Sequence, residues 1–400
     1  MKYLFALFSM IVAFTLTGQN DDLISIKVDV VYLSSDLLEG RETGTEGEAM
    51  AAQYIANRFN QLGLNTSFQS FDFEVKAHPH ATESTPKTGK NVIGYLDNGA
   101  DYTVVIGAHY DHLGYGSSGS LHRGEPAIHN GADDNASGVA AMLRLAEWLS
   151  KEGAPNANNY LFLAFSGEEF GLFGSKYYAS NATLPIDNVN YMVNMDMVGR
   201  LNEENVLVIN GVGTSPSWTA TLDHIQIDPI SITTTESGFG PSDHSSFYLK
   251  DIPVLHFFTG QHSEYHKPSD DAELINYEGI DLVSQYIYQL VTALDGKEKL
   301  VFTKTKDQSQ GTRASSFKVT LGVIPDYTYG KKGMRIDGVS EDKPAQKAGL
   351  QQGDVILKIG DKDIEDIYAY MEALGSFEPN QSTTIVIQRG EEQLTLPLTF

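Results

Sequence analysis

The chain has no cysteine among its 400 residues, so it forms no disulfide and offers no thiolate to a metal or a reaction. Any metal it holds through side chains must rest on histidine, aspartate and glutamate. Cations are scarce too: 28 Lys and Arg stand against 52 Asp and Glu, a formal charge of −24. Nothing in that balance offsets phosphates, which argues against nucleic acid as a partner and leaves divalent cations favoured. Beyond the first residues no apolar run is long enough to span a bilayer, and there is no internal repeat or long low-complexity stretch. With 41% hydrophobic and 20% charged residues the balance is that of an ordinary globular protein of two or three domains.

What is present begins with Lys2, an apolar run from Tyr3 to Leu16, and small polar residues around Gly18. This pattern predicts a secretory signal peptide over residues 1–18, since the run is too short for a comfortable membrane span. No cysteine follows, so no lipid or membrane anchor is expected after cleavage. An exported protein of this size without disulfides fits a bacterial periplasm or the space outside a bacterium.

The central stretch is Ile128-His-Asn-Gly-Ala-Asp-Asp-Asn-Ala-Ser-Gly138, in which Asp133 and Asp134 precede a helix with apolar residues at helical spacing. Asp-Asp-Asn-Ala-Ser at that place is also ordinary N-cap chemistry. Its neighbours give it more weight. Buried strands are predicted at 91–96, 102–108, 160–165, 191–195 and 254–258, and helices at 48–62, 136–150, 170–180, 242–250 and 271–295. Phe68 to Val75 alternates like a further strand, and the polar stretch 76–90 reads as an exposed loop. Strands alternating with helices predict an α/β fold, a three-layer sandwich around a largely parallel mixed sheet. Such sheets bind ligands beyond the carboxyl ends of their strands. His109, Glu168, Glu169, Asp196 and His266 all fall at that edge.

Zinc accepts imidazole nitrogen and carboxylate oxygen, and a catalytic zinc keeps one position open. His109, Asp133, Glu169, Asp196 and His266 are too many ligands for one open site and suit two metals sharing a carboxylate, for which Asp133 is the natural bridge. Of Glu168 and Glu169, one can ligate while the other accepts a proton from the attacking water. Asp111 stands two residues beyond His109, where it can take the second imidazole N–H. His112, His244 and His262 are near-site residues, the best of them within Ser242-Asp-His244; His78, His80, His122 and His129 read as loop residues.

His109-Tyr-Asp111, Gly131-Ala-Asp-Asp-Asn-Ala-Ser-Gly138, Ser166-Gly-Glu-Glu169, Asn194-Met-Asp196 and Glu264-Tyr-His266-Lys-Pro, in that order, resemble the motifs of the co-catalytic dizinc aminopeptidases. That family also takes in the transferrin-receptor-like peptidases and the glutaminyl cyclases. The resemblance covers roughly residues 34–295 and implies two zinc ions per chain. One would be held by His109 and Asp196, the other by Glu169 and His266, with Asp133 bridging. It implies Glu168 as general base and a cis peptide between Asp133 and Asp134. Peptides with free N-termini are the implied substrates.

Lys297 to Ser316 changes to Lys, Thr, Gln and Ser and is read as a linker, which leaves 19–296 as the peptidase domain. The remainder, 317–400, predicts a small β-rich module with strands at 317–324, 333–339, 354–360, 383–389 and 393–399 and helices at 344–349 and 365–374. It resembles a PDZ domain, with Leu321, Gly322 and Val323 as the loop that would receive a peptide C-terminus. Two other readings stay open: a glutaminyl cyclase on the same fold, and a PDZ-based peptide-binding protein whose metal site is vestigial.

Overall fold

The computed structural model describes residues 23–76, 84–305, 319–325, 329, 331–339 and 343–400. The expected signal peptide, His78 and His80, and most of the expected linker lie outside them. The chain divides into two compact units, Met1–Thr259 with Glu264–Lys304, and Thr305–Phe400 with Gly260–Ser263. Among the described residues no helix is long and apolar enough to cross a membrane.

The first unit runs α1 (23–33), α2 (Glu46–Gln61), β1 (Asn65–Lys76), β2 (Ser84–Leu96), β3 (Thr103–His109), α3 (Gly138–Leu149), β4 (Asn159–Phe165), α4 (Phe173–Ser180) and β5 (Val189–Met195). It continues with β6 (Val206–Asn210), α5 (Ser217–Leu222), β7 (Ser231–Thr235), α6 (His244–Tyr248), β8 (Val254–Phe258) and α7 (Tyr277–Leu294). Its sheet has the order β1-β2-β4-β3-β5-β8-β6-β7. The four middle strands β4, β3, β5 and β8 are parallel to one another, while β1, β2 and the β6–β8 pair add antiparallel edges.

Every residue of those four strands is buried and most are apolar, as expected of a sheet covered on both faces. Their period of two then sorts side chains into two cores. Val104, Ile106, Phe162, Ala164, Tyr191 and Val193 pack with α1, α2, α3 and α7. Val105, Leu161, Leu163, Phe165 and Met192 face the other way, onto Tyr178 of α4 and Phe247 of α6. This is the three-layer sandwich.

Two expectations are corrected. Residues 84–90 are not a loop but the first half of β2, paired with β1 from Lys76↔Ser84 upward. Their side chains are mostly outside the core, so main-chain bonding builds the strand without any apolar alternation to announce it. The strands β6 and β7 and the helix α5 were not expected at all; each is short, and β7 is a Ser-Ile-Thr-Thr-Thr segment with little burial.

The second unit contains β9 (Val323–Pro325), β10 (Met334–Val339), α8 (Pro344–Ala348), β11 (Val355–Ile359), β12 (Lys362–Asp363), α9 (Ile367–Gly375), β13 (Ser382–Arg389) and β14 (Glu392–Thr399). All its pairings are antiparallel, in the order β14-β13-β11-β10-β9 with β12 beside β11. Leu321, Ile336, Ile356, Ile359, Ile385 and Ile387 form its core. The strand expected over 317–324 is shorter than its pattern, beginning at Val323. Gly322 stands at φ +79°, where a Cβ would lie 2.1 Å from Lys343 Cβ, so only glycine fits there.

Candidate metal centre

The parallel strands β3, β4 and β5 all end at one edge, and each run of buried apolar residues there gives way to acids and imidazoles. His109 closes β3, the Glu168-Glu169 turn follows β4, and Asp196 follows β5. The loop after β8 carries His266, at φ +55°. The chain between β3 and α3 brings the remaining carboxylates back over this edge.

His109 Nε2 lies 3.3 Å from Asp134 Oδ1 and 3.3 Å from Asp196 Oδ1. On the other side, His266 Nε2 lies 3.2 Å from Asp134 Oδ2 and 3.2 Å from Glu169 Oε2. Ligand atoms about 2.0–2.1 Å from a tetrahedral zinc are about 3.3 Å apart, so all four separations suit ions seated between these atoms. The two oxygens of Asp134 take part in different triangles. The donor set is that of two adjacent metals sharing one carboxylate.

In this geometry the carboxylate that reaches both triangles is that of Asp134, not that of Asp133, which was the expected bridge. The segment Ala132–Ser137 is a wide turn whose backbone leaves the helical region at Asp134 (φ −106°, ψ 89°) and Asn135 (φ −135°, ψ 45°). The two neighbouring carboxylates therefore diverge. Asp133 Oδ1 turns inward to accept the Gly199 N–H at 2.6 Å and the Ser137 hydroxyl at 3.0 Å. The cis peptide stands correspondingly one residue later than expected, between Asp134 and Asn135.

Three polar residues that sequence reasoning missed hold this turn. Asp270 Oδ2 accepts the N–H groups of Asp133 at 2.9 Å and Asp134 at 3.0 Å. The Asn135 side chain donates to Met195 O at 3.0 Å and accepts from Gly138 N and Met197 N, tying the turn to the end of β5. Arg41, fully buried, donates to the carbonyls of Leu33, Tyr110, Asn130 and Gly131. None follows an apolar period or a metal-ligand spacing, so their only signal was Asp270 and Asn135 lying close to recognised motifs.

The imidazoles are aimed by their other nitrogens. His266 Nδ1 donates to Gly119 O at 2.9 Å. His109 Nδ1 meets the main-chain oxygen of Asp111 at 3.2 Å, whereas the Asp111 carboxylate is 3.8 Å away. This corrects the expected role of the Asp111 side chain. Its carboxylate accepts instead from Thr43 Oγ1 at 2.9 Å and from the backbone N–H of Glu168 at 3.2 Å, so it orients the Glu168 turn.

Electrostatics follow from this crowding of acids. Burial opposes the imidazolium of His266, but Glu169 and Asp134 outweigh it and push its pKa up to about 11. Burial opposes the His109 cation as well, and Glu168, Asp196 and Asp134 still hold its pKa well above the ordinary range. Burial raises the pKa of Glu168, His109 pulls it down, and Asp196, Glu169 and Asp243 leave it well above that of a usual carboxyl.

Of the near-site histidines, His112 enters the cluster: its Nδ1 lies 2.7 Å from Glu169 Oε1, and it shares a group of donor atoms within 4.8 Å with Asp134 and Glu169. His244 stacks on His256 at 4.6 Å, and Ser242 accepts from Asn194 at 2.8 Å. His129 lies in a loop, as expected, and is buried there and bonded to Ser120 and Ala127.

A three-layer α/β unit with a shared-carboxylate, two-metal donor set at its strand ends defines the class. Residues 91–291 match the model of peptidase family M28, and residues 305–399 that of the PDZ domain. The chain belongs to peptidase family M28. It is 29% identical over 296 residues to aminopeptidase YwaD of Bacillus subtilis, covering 68% of this chain and 59% of that protein. The chain thus spans roughly half the length of the first curated relatives it matches, 59% and 47% for two of them. Among solved structures, BSAP, a zinc aminopeptidase from Bacillus subtilis, superposes with a TM-score of 0.54 at 19% identity, over 71% of this chain and 98% of that one. The Porphyromonas gingivalis glutaminyl cyclase superposes with a TM-score of 0.57 at 16% identity, over 68% and 97%. At those identities the likeness is one of fold.

Proposed function

We propose that the chain is an exported zinc aminopeptidase that removes N-terminal residues from peptides. The observation that carries this reading is the pair of ligand triangles joined at Asp134, with the half-buried Glu168 beside them. One zinc is assigned to His109, Asp134 and Asp196, the second to His266, Asp134 and Glu169. Bound there, the two ions supply Lewis acidity for a scissile carbonyl and lower the pKa of water at neutral pH. Glu168 is the base that takes a proton from the attacking water and then delivers it to the leaving amine nitrogen. The Asp111 carboxylate orients this base through the Glu168 N–H.

The second unit is assigned a recruiting role. β9 is the last strand in its sheet order, and Leu321-Gly322-Val323 leads into it, the arrangement by which a peptide C-terminus is added to a sheet edge. The signal pattern of residues 1–18 supports export to the periplasm or beyond.

The deciding experiment measures hydrolysis of aminoacyl-anilides beside cyclisation of N-terminal Gln peptides, with bound zinc quantified before and after chelation. Two zinc ions per chain and chelator-sensitive anilide hydrolysis are expected. Cyclisation without hydrolysis would make the chain a cyclase, and neither activity with full zinc would favour a binding protein.

A further inference from the structure

The metal centre contains a sixth group, and its distance separates it from the ligands. Co-ligands in the two triangles stand 3.2–3.3 Å apart. His112 Nδ1 stands 2.7 Å from Glu169 Oε1 and 4.0 Å from Asp134 Oδ2. A separation of 2.7 Å is too short for two atoms bound to one tetrahedral ion and is the length of a charge-assisted N–H···O bond. The position of the Glu169 carboxylate makes the same point, since Oε1 turns to His112 while Oε2 remains at the His266 triangle.

Beside the Glu169 bond, the residue is set in place from two further directions. Its backbone N–H donates to Arg41 O at 3.2 Å. Its ring lies over Gly131, where a Cβ would come within 2.5 Å of His112 Cδ2, and Gly131 is itself at φ +55°. The residue is fully buried, and Nε2 has no partner among the described residues, so Nδ1 is the engaged nitrogen.

Resting on the two-zinc reading above, we infer that His112 is not a zinc ligand but the positioning residue of the second site. It donates from Nδ1 to Glu169 Oε1 and thereby presents Oε2 to the ion shared with His266. Gly131 is the accompanying requirement, because any side chain there would displace the donor. A carboxylate left to rotate would lose orientation at one metal and leave the His109–Asp196 metal as it is.

The test compares His112→Ala with His112→Asn, whose amide N–H reaches nearly the place of Nδ1 and ligates zinc poorly. Zinc dissociation constants are measured by competition with a chromophoric chelator, and X-ray absorption counts imidazoles per zinc in the intact full-length protein. Expected for the intact protein are two ions and an average of one imidazole each. In His112→Ala one constant rises by about 10- to 100-fold while the other stays within about twofold, and His112→Asn regains most of the loss. Three imidazoles per two ions, with His112→Asn as weak as His112→Ala, would make His112 a ligand and overturn the inference. So would two unchanged constants, or an equal loss at both sites. Fewer than two ions in the intact protein would instead overturn the two-zinc reading itself.

Discussion

Around the strand ends of the first unit, Asp111, Asp133, Asp134, Asp243 and Asp270 are buried within one neighbourhood, and the Arg41 guanidinium interacts with Asp111, Asp134 and Asp270 among them. In the second unit Asp354 is the one charged side chain buried among the described residues, and Arg389 closes it with bonds of 2.7 Å to each of its oxygens. A buried charge left without a counter-charge is costly; the second arrangement closes with one guanidinium, whereas the first sets Arg41 and the imidazoles of His109 and His266 against a larger number of acids, which favours added cations. The difference teaches where to look for chemistry: at the acids the protein has not neutralised with its own residues.

The largest expected effect concerns Glu168, the acid in that neighbourhood assigned to protons and not to metal. Glu168→Gln should keep about two zinc ions while turnover falls by about a hundredfold or more, read from metal analysis and anilide kinetics on one preparation. An emptied site or intact turnover would move the base elsewhere. Next comes the adjacent pair. Asp134→Ala should lower occupancy at both positions, whereas Asp133→Asn, which can still accept from Gly199 N–H, should retain both ions. The reverse result would return the bridge to Asp133.

A smaller effect is the proton count of metal uptake. His266, pushed up to about 11, and His109, held well above its ordinary value, are both protonated at neutral pH in the metal-free protein. Each must lose its proton before Nε2 can ligate, so zinc affinity should rise with pH and about two protons should be released per chain near pH 7. Calorimetric titrations in buffers of different ionisation heat measure this, and a heat independent of buffer would contradict it. The smallest change is expected from the self-sufficient pair. Asp354→Ala should lower the thermal midpoint of the second unit by a few degrees, since Arg389 can turn to water while the Gln351 N–H loses its acceptor. Zinc content should not move.

The first unit's sheet was largely legible because its middle strands are buried and mostly apolar, and the expected bounds of the strand Val254–Phe258 agree to the residue. Less legible were structure made by main-chain bonding alone (residues 84–90 of β2), segments as short as β6 and β7, and the helix α1 over 23–33, which was not expected. Within the centre, His109, Glu169, Asp196 and His266 were legible by type and position, and the geometry gathers all four. The choice between Asp133 and Asp134 was not, because neighbouring aspartates are chemically identical and only the backbone angles of the turn decide which faces the strand ends. The sequence places His112 only near the site. Its 2.7 Å approach to Glu169 is a side-chain distance, which spacing along a chain does not encode.

Arg41 carries a consequence for how the chain acquires its shape. Its acceptors lie 8, 69, 89 and 90 residues away along the sequence, in three otherwise separate segments, since Asn130 and Gly131 are neighbours. A partly assembled chain that has sequestered this guanidinium from water without all four carbonyls bears an unmet charge, so intermediates missing any one segment are penalised. One side chain thus makes the late joining of distant segments nearly all-or-none, and the floor beneath the metals is either whole or absent.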